Sequence, residues 1–228
     1  MAFDYWEDTK RSFEDVFKLF APELQLGFLK FLKGTPVRDK HNQHGFKFDP
    51  NPPYQIIESN YLSKEELEKI VELEHALEIY WNSKKATNTL KYITKQYSIF
   101  DFLVGLGHYF GTQKPFHHYS LTDVFDIMKT YAETHYPNDT VLHQLIAIDY
   151  YLHYKVKPKT LYLDEITTPE KTQLITQRKL NHHKYRYIIL PVQFNFYEFM
   201  NNGNIVASNE PLVIQYNGKT KAEAIFVS

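Results

Sequence analysis

The stretch SKEELEKIVELEHALEIYW, Ser63–Trp81, decides the class of the fold. Ser63 followed three residues later by Glu66 is a capping box, in which each side chain reaches the other residue's backbone N–H. Behind it, Leu67, Ile70, Val71, Ala76, Leu77, Tyr80 and Trp81 recur at helical spacing and predict a helix over 64–82. The same period continues downstream. It predicts helices over 85–96, 99–112, 121–135 and 140–154, with Asp139 placed to cap the last. Consecutive helices joined by short loops imply a bundle over 63–180, with a further helix near 168–179.

Outward from that core the pattern changes at both ends. Toward the carboxyl end, Tyr185–Phe196, Ile205–Ala207, Leu212–Tyr216 and Ala224–Val227 read as strands. Turn sequences separate them, Asn201-Asn202-Gly203-Asn204 and Asn217-Gly218. A small antiparallel sheet over 181–228 is the expectation. Toward the amino end, Phe13, Val16, Phe17 and Phe20 share one face of an expected helix over 7–20, which Ala21-Pro22 ends. Leu24, Leu26 and Phe28 then fall on one face, and Leu29 and Phe31 on the other. A run apolar on both faces is the pattern of a strand buried from two sides, as in a parallel sheet. Lys33-Gly34-Thr35-Pro36 breaks the run. Residues 37–62 read as an extended linker punctuated by Asp49-Pro50-Asn51-Pro52-Pro53. The fold class is α+β, mainly α.

Composition narrows the functions. The 228 residues carry 26 basic and 27 acidic side chains, a net charge of -1, so no global field steers the chain toward nucleic acid or an anionic membrane. Eight basic against three acidic residues between Lys155 and Arg186 read as a solvated face within that balance. With 18 Tyr and 17 Phe, a core of large rings with polar tips is expected. The chain has no cysteine. That excludes disulfides, thiolate-held zinc, a thiolate-held iron–sulfur cluster and a thiol nucleophile. The start MAFDYWEDTKRSFEDVF shows no basic-then-apolar export pattern, and a soluble, cytoplasmic protein is the expectation.

Particular residues resemble a known family. Ser12-Phe13-Glu14-Asp15-Val16-Phe17 resembles part of the last helix of a radical SAM barrel. The block Leu24-Gln25-Leu26-Gly27-Phe28-Leu29-Lys30-Phe31-Leu32-Lys33-Gly34-Thr35-Pro36 resembles its last strand and the following turn. Pro52-Pro53-Tyr54-Gln55-Ile56-Ile57, Tyr61-Leu62-Ser63, Glu78-Ile79-Tyr80-Trp81-Asn82-Ser83 and Ile148-Asp149-Tyr150-Tyr151-Leu152 extend the likeness over most of 12–155. The group resembled carries an amino-terminal cobalamin-binding domain and an uncharacterised helical carboxy-terminal domain. The resemblance implies that residues 1–36 are the remnant of a barrel's last helix and strand. It implies a parent using a 4Fe–4S cluster, S-adenosylmethionine and cobalamin. The three cluster cysteines lie far upstream in that family and are missing here, so the chain reads as a fragment with no cofactor of its own. Its partner would be the remainder of its own parent chain.

Few residues compete for a chemical role. By the resemblance, Lys33, Gly34 and Thr35 would approach the adenosyl ligand in the parent, since loops after barrel strands build the site. A strand-ending turn explains the same residues, with Gly34 relieving strain. Asp149 and His153 stand four apart on an expected helix and share a face, with His143 ten residues before His153. They are the only metal candidates, although their spacing matches no metalloenzyme motif, and a capping or core-satisfied pair accounts for them. His117-His118 and His182-His183 are adjacent, so their rings diverge and chelate poorly.

The sequence therefore predicts an accessory domain that shapes or covers the mouth of a radical enzyme's barrel and is not catalytic by itself. A stand-alone binding or scaffold domain is the alternative, with a histidine-dependent metal hydrolase behind it. Cutting a barrel would leave Leu24–Leu32 unpaired, and so this segment is expected to pair with the carboxy-terminal strands or with a second copy in a homodimer.

Overall fold

The computed structural model describes residues 4–226. Among them are nine α-helices and two small antiparallel sheets, with six of the helices consecutive between the two sheets. The chain divides into two compact units, one formed by residues up to Ser83 with Ile93–Val124, the other by Lys84–Tyr92 with Phe125 onward. The reading of a mainly helical α+β protein with a small antiparallel sheet holds.

In the first unit, helix α1 (Trp6–Phe17) buries Phe13 and Phe17. Its Trp6 and Phe13 rings meet Phe100 edge-on, with centroids 5.1 and 5.8 Å away. The short α2 (Pro36–Asp39) starts on Pro36, and α3 (Lys64–Ala76) opens on the expected capping box. Ser63 N–H donates to Glu66 Oε2 at 2.8 Å, and Glu66 N–H donates to Ser63 Oγ at 3.2 Å. Helix α4 spans Thr87–Gln96 and α5 spans Ile99–Gln113. α3 and α5 cross closely because Gly107 has no side chain; a Cβ there would lie 2.1 Å from the Glu72 carbonyl oxygen.

The end of α3 winds into a π-helical turn, Leu77–Asn82. This turn turns three side chains toward backbone partners. Tyr80 Oη donates to Val124 O at 2.9 Å, and Trp81 Nε1 donates to Ala21 O at 2.9 Å. Asn82 accepts from Leu24 N–H and donates to Leu24 O, both at 3.0 Å. Much of the Glu78–Ser83 motif therefore fastens the amino-terminal segment to the helices.

The expected buried strand over Leu24–Leu32 does not form. The segment makes one isolated bridge, Lys30 opposite Gln55, supported by Phe31 N–H to Tyr54 O at 2.9 Å and Ile56 N–H to Leu29 O at 3.0 Å. Within the chain its partner is therefore residues 54–56, and not the carboxy-terminal strands. Phe31 is fully buried among Phe46, Ile56, Leu62, Leu67 and Ile70, with Leu26, Phe28 and Leu29 packed against them. The stretch read as linker supplies half of that cluster and folds into the antiparallel pair β1 (Lys47–Phe48) and β2 (Ile56–Glu58). The helix read over 7–20 also stops early, at Phe17, and Phe20 takes a left-handed φ of 49°.

The second unit is built on α7 (Thr140–His153), which follows α6 (Leu121–His135). Asp139 caps α7 as expected, accepting from Leu142 N–H at 2.9 Å. Helix α8 (Thr168–Gln177) lays Leu174 and Ile175 on the sheet residues Tyr187, Ile189 and Val213. That sheet has the order β3–β4–β5, from Arg186–Leu190, Leu212–Tyr216 and Glu223–Ile225, with Ile188 opposite Ile214 and Val213 opposite Ile225. The long strand read over Tyr185–Phe196 is cut short at Leu190. Beyond it, Asn195 Oδ1 accepts from Glu198 N–H at 3.0 Å and starts α9 (Phe196–Asn202). Ile205–Ala207 contributes a single bridge, Ala207 to Phe194, instead of a strand. Val227, placed in the last expected strand, lies outside the described residues. No helix among the described residues is long and apolar enough to cross a membrane.

Candidate functional site

The residues singled out on α7 end in two different environments. Asp149 is 5% exposed, and its carboxylate accepts four hydrogen bonds. Asn88 gives Nδ2 at 2.7 Å and its backbone N–H at 3.4 Å to Oδ1, while Thr89 gives Oγ1 at 2.7 Å and its N–H at 2.8 Å to Oδ2. Both N–H groups belong to the first turn of α4, where no intrahelical acceptor exists. Asp149 thus caps α4 from another helix. Burial pushes its carboxyl up to about 6, against the four donors that favour the anion.

His153, one turn on, does not meet Asp149. Its Nδ1 lies 3.2 Å from Lys221 Nζ, which donates to the neutral ring. Burial first, then the Lys221 and Lys85 charges, lowers its pKa to about 4. Burial and the Lys84 charge lower Lys221 as well. An imidazole held neutral beside lysines is a hydrogen-bond acceptor and a poor general acid at pH 7.

The same helix also carries a group of tyrosines. Tyr150 stacks on Tyr162 with centroids 4.0 Å apart, and Tyr162 Oη donates to Asp126. Tyr151 Oη accepts from Tyr162 N–H at 2.6 Å and Leu163 N–H at 2.9 Å; Tyr216 Oη donates to Tyr151 O at 3.1 Å. Burial is the first cause raising the pKa of Tyr150, Tyr151, Tyr162 and Tyr216. The phenols remain protonated and pin residues 160–163 to the helix.

The remaining candidates are dispersed. His143 Nε2 is bonded to Tyr136 O at 3.0 Å, and the His182 and His183 rings lie 4.1 Å apart. Lys33, Gly34 and Thr35 form a tight turn in which Gly34 has φ +79° and Thr35 Oγ1 donates to Leu32 O at 2.7 Å. Pro36 follows as the first residue of α2. Among the described residues, no three His, Asp or Glu side chains gather closely enough to hold a metal ion. Sequence reading missed Asn88, Thr89 and Lys221, which stand 61, 60 and 68 positions from their α7 partners. The only local hint was Asn88-Thr89 at the start of an expected helix. It also missed a cavity at the end of the β3–β4–β5 sheet.

A family model described as a protein of unknown function, DUF4080, matches residues 42–211. The chain belongs to this family. The DUF4080 match takes in α3 to α9, hence Asp149, His153 and the tyrosines, while α1, Leu24–Leu32 and the Lys33–Thr35 turn precede it. No curated protein matches the chain.

Proposed function

We propose that this chain is the carboxy-terminal accessory region of a cobalamin-dependent radical SAM enzyme, where its helices shape or cover the mouth of a barrel completed upstream. One observation carries the proposal beyond the sequence likeness. Gln25, Leu26, Gly27 and Phe28 belong to no helix or strand, and among the described residues their backbone N–H and C=O groups make no hydrogen bond. Exposed Val16 and Leu19 on and just after α1, and Leu32 at 52% exposed, flank this open edge. A strand with its neighbours supplied by the same longer polypeptide would present this combination.

The chain has no cysteine, so it does not fit a 4Fe–4S cluster, and the cluster's ligands would lie outside it. Lys33, Gly34 and Thr35, at the end of the open segment, are the residues nearest in sequence to where the adenosyl ligand would sit. The helices over α3 to α9 would act by position, admitting substrate or partner to the barrel in the cytoplasm.

The genomic reading frame tests this. Codons for Cys-x3-Cys-x2-Cys upstream and in frame with Met1 are expected. An in-frame stop directly before a native start at Met1 overturns the proposal and leaves a stand-alone domain. In the intact parent, hydrogen exchange at Gln25–Phe28 is expected to be strongly slowed relative to this chain alone.

A further inference from the structure

At one end of the three-stranded sheet, the start of β4, the end of β5 and the start of α9 enclose a cavity of about 430 Å³. That volume falls in the range of small-molecule sites. Buried Phe194 and Phe196 line it from within. Tyr197 and Phe226 line it too, yet stand 47% and 53% exposed, their rings 4.2 Å apart. Two large rings left this open at a concave site offer stacking surface that the core does not use.

The polar groups on the same lining have capacity to spare. Asn195 uses Oδ1 to cap α9, which fixes its amide and leaves the Nδ2 donors without a protein acceptor among the described residues. Ser208 Oγ accepts from Glu210 N–H at 3.1 Å, and its own hydrogen has no acceptor there. The Glu210 carboxylate makes no hydrogen bond or ion pair among the described residues. What remains is an aromatic slot edged by an amide donor, a hydroxyl donor and a carboxylate acceptor.

We propose that this cavity binds an amino-bearing heteroaromatic ring, the chemistry that a nucleobase presents. The ring lies against Tyr197 and Phe226. Its exocyclic amine donates to Glu210, and a ring nitrogen or carbonyl accepts from Asn195 Nδ2 or the Ser208 hydroxyl. Base recognition elsewhere uses the same contacts: carboxylates accept from amines, amides read base edges and aromatic faces take the ring.

The test is calorimetric titration of the intact chain with adenosine, cytidine and guanosine. Uridine serves as the control without an amine, and indole as a ring without the polar edge. Amine-bearing nucleosides are expected to saturate, and to shift the Asn195 side-chain amide signals in nitrogen–proton spectra. Uridine and indole should bind about tenfold more weakly, the worth of one good polar contact. Glu210→Leu should abolish the preference for the amine while leaving circular dichroism unchanged, and Tyr197→Ala should weaken every nucleoside by about tenfold. No saturation by any amine-bearing nucleoside overturns the proposal. So does indole binding equally well, or a preference untouched by Glu210→Leu in a folded variant.

Discussion

Replacing Asp149 by Asn puts the balance between burial and hydrogen bonding to a direct test. The four donors around the carboxylate favour its anion, and burial opposes it. Burial wins, and the group titrates at about 6 where an ordinary aspartate would titrate near 3.8. At 1.36 kcal/mol for each tenfold change, that gap is worth about 3 kcal/mol. The sign follows from proton counting. Between the two values the folded chain holds a proton that the unfolded chain has lost, so stability falls as pH rises from about 4 to beyond 6. Asn cannot ionise and lacks this slope. At pH 4 it should be the less stable form by about 1–3 kcal/mol, because its Nδ2 faces donors and leaves a first-turn N–H of α4 unpaired. A protonated carboxyl keeps a lone pair for that role. The difference between wild type and Asp149→Asn should therefore shift in favour of the variant by about 2 kcal/mol on going from pH 4 to pH 7. Urea unfolding at each pH, followed by exchange of the Asn88 and Thr89 amides, measures it. Tryptophan fluorescence will not serve, since Trp6 and Trp81 both belong to the first unit. Other titrating groups are common to both proteins and cancel. A constant gap would refute titration of Asp149 in this range. A gap that widens with pH would show that the donors outweigh burial.

Two further outcomes follow from the packing. His153 should titrate near 4 by proton NMR, and Lys221→Ala should raise that midpoint without restoring 6.5, because burial is the larger cause. Since the unfolded chain protonates first, this residue lowers stability as pH falls from 6.5 toward 4; a native midpoint at or above 6.5 would contradict the arrangement. Gly107→Ala drives a methyl to 2.1 Å from the Glu72 carbonyl oxygen, and α3 and α5 must part. Tryptophan fluorescence in urea should report a loss of about 1–3 kcal/mol, and an unchanged midpoint would mean that the helices do not cross so closely.

What the sequence disclosed was set by how far apart the participating atoms lie along the chain. The capping box at Ser63 and the cap at Asp139 each close within three residues, so spacing alone reveals them. Helices α3, α5, α6 and α7 declare themselves through a repeat that no distant contact can supply. Asn195 caps α9 in the same local way, with Glu198 three positions on. The strand expected over Tyr185–Phe196 runs across it, because the aromatic character of Phe194 and Phe196 favours a strand. The aromatic side chains are there for burial, with Phe194, Phe196 and Phe199 all nearly inaccessible. Asp149 illustrates the opposite limit. Helical spacing placed it on a face with His153, but could not show that Asn88 and Thr89, some sixty positions away, claim its oxygens.

The misread of Leu24–Leu32 has a physical lesson of its own. Alternation on two faces states only that both sides of an extended backbone are covered; it does not state by what. Here helices cover Leu26 and the Pro-rich segment covers Phe31, so residues 29–31 need just one bridge to hold their place. The backbone of residues 25–28 is the exception, in no helix or strand and unpaired among the described residues beside exposed Val16 and Leu19. Unpaired peptide groups in water cost little, but they gain little too, and a run of them fixed at both ends gives up chain entropy without a ladder in return. Asn82 holds one end, through both bonds to Leu24, and Phe31 anchors the other. A segment fixed at two anchors, with its ladder groups unpaired between them among the described residues, is in place for pairing. That is why the open edge, more than any titrating side chain, carries the proposal that this chain completes a larger fold.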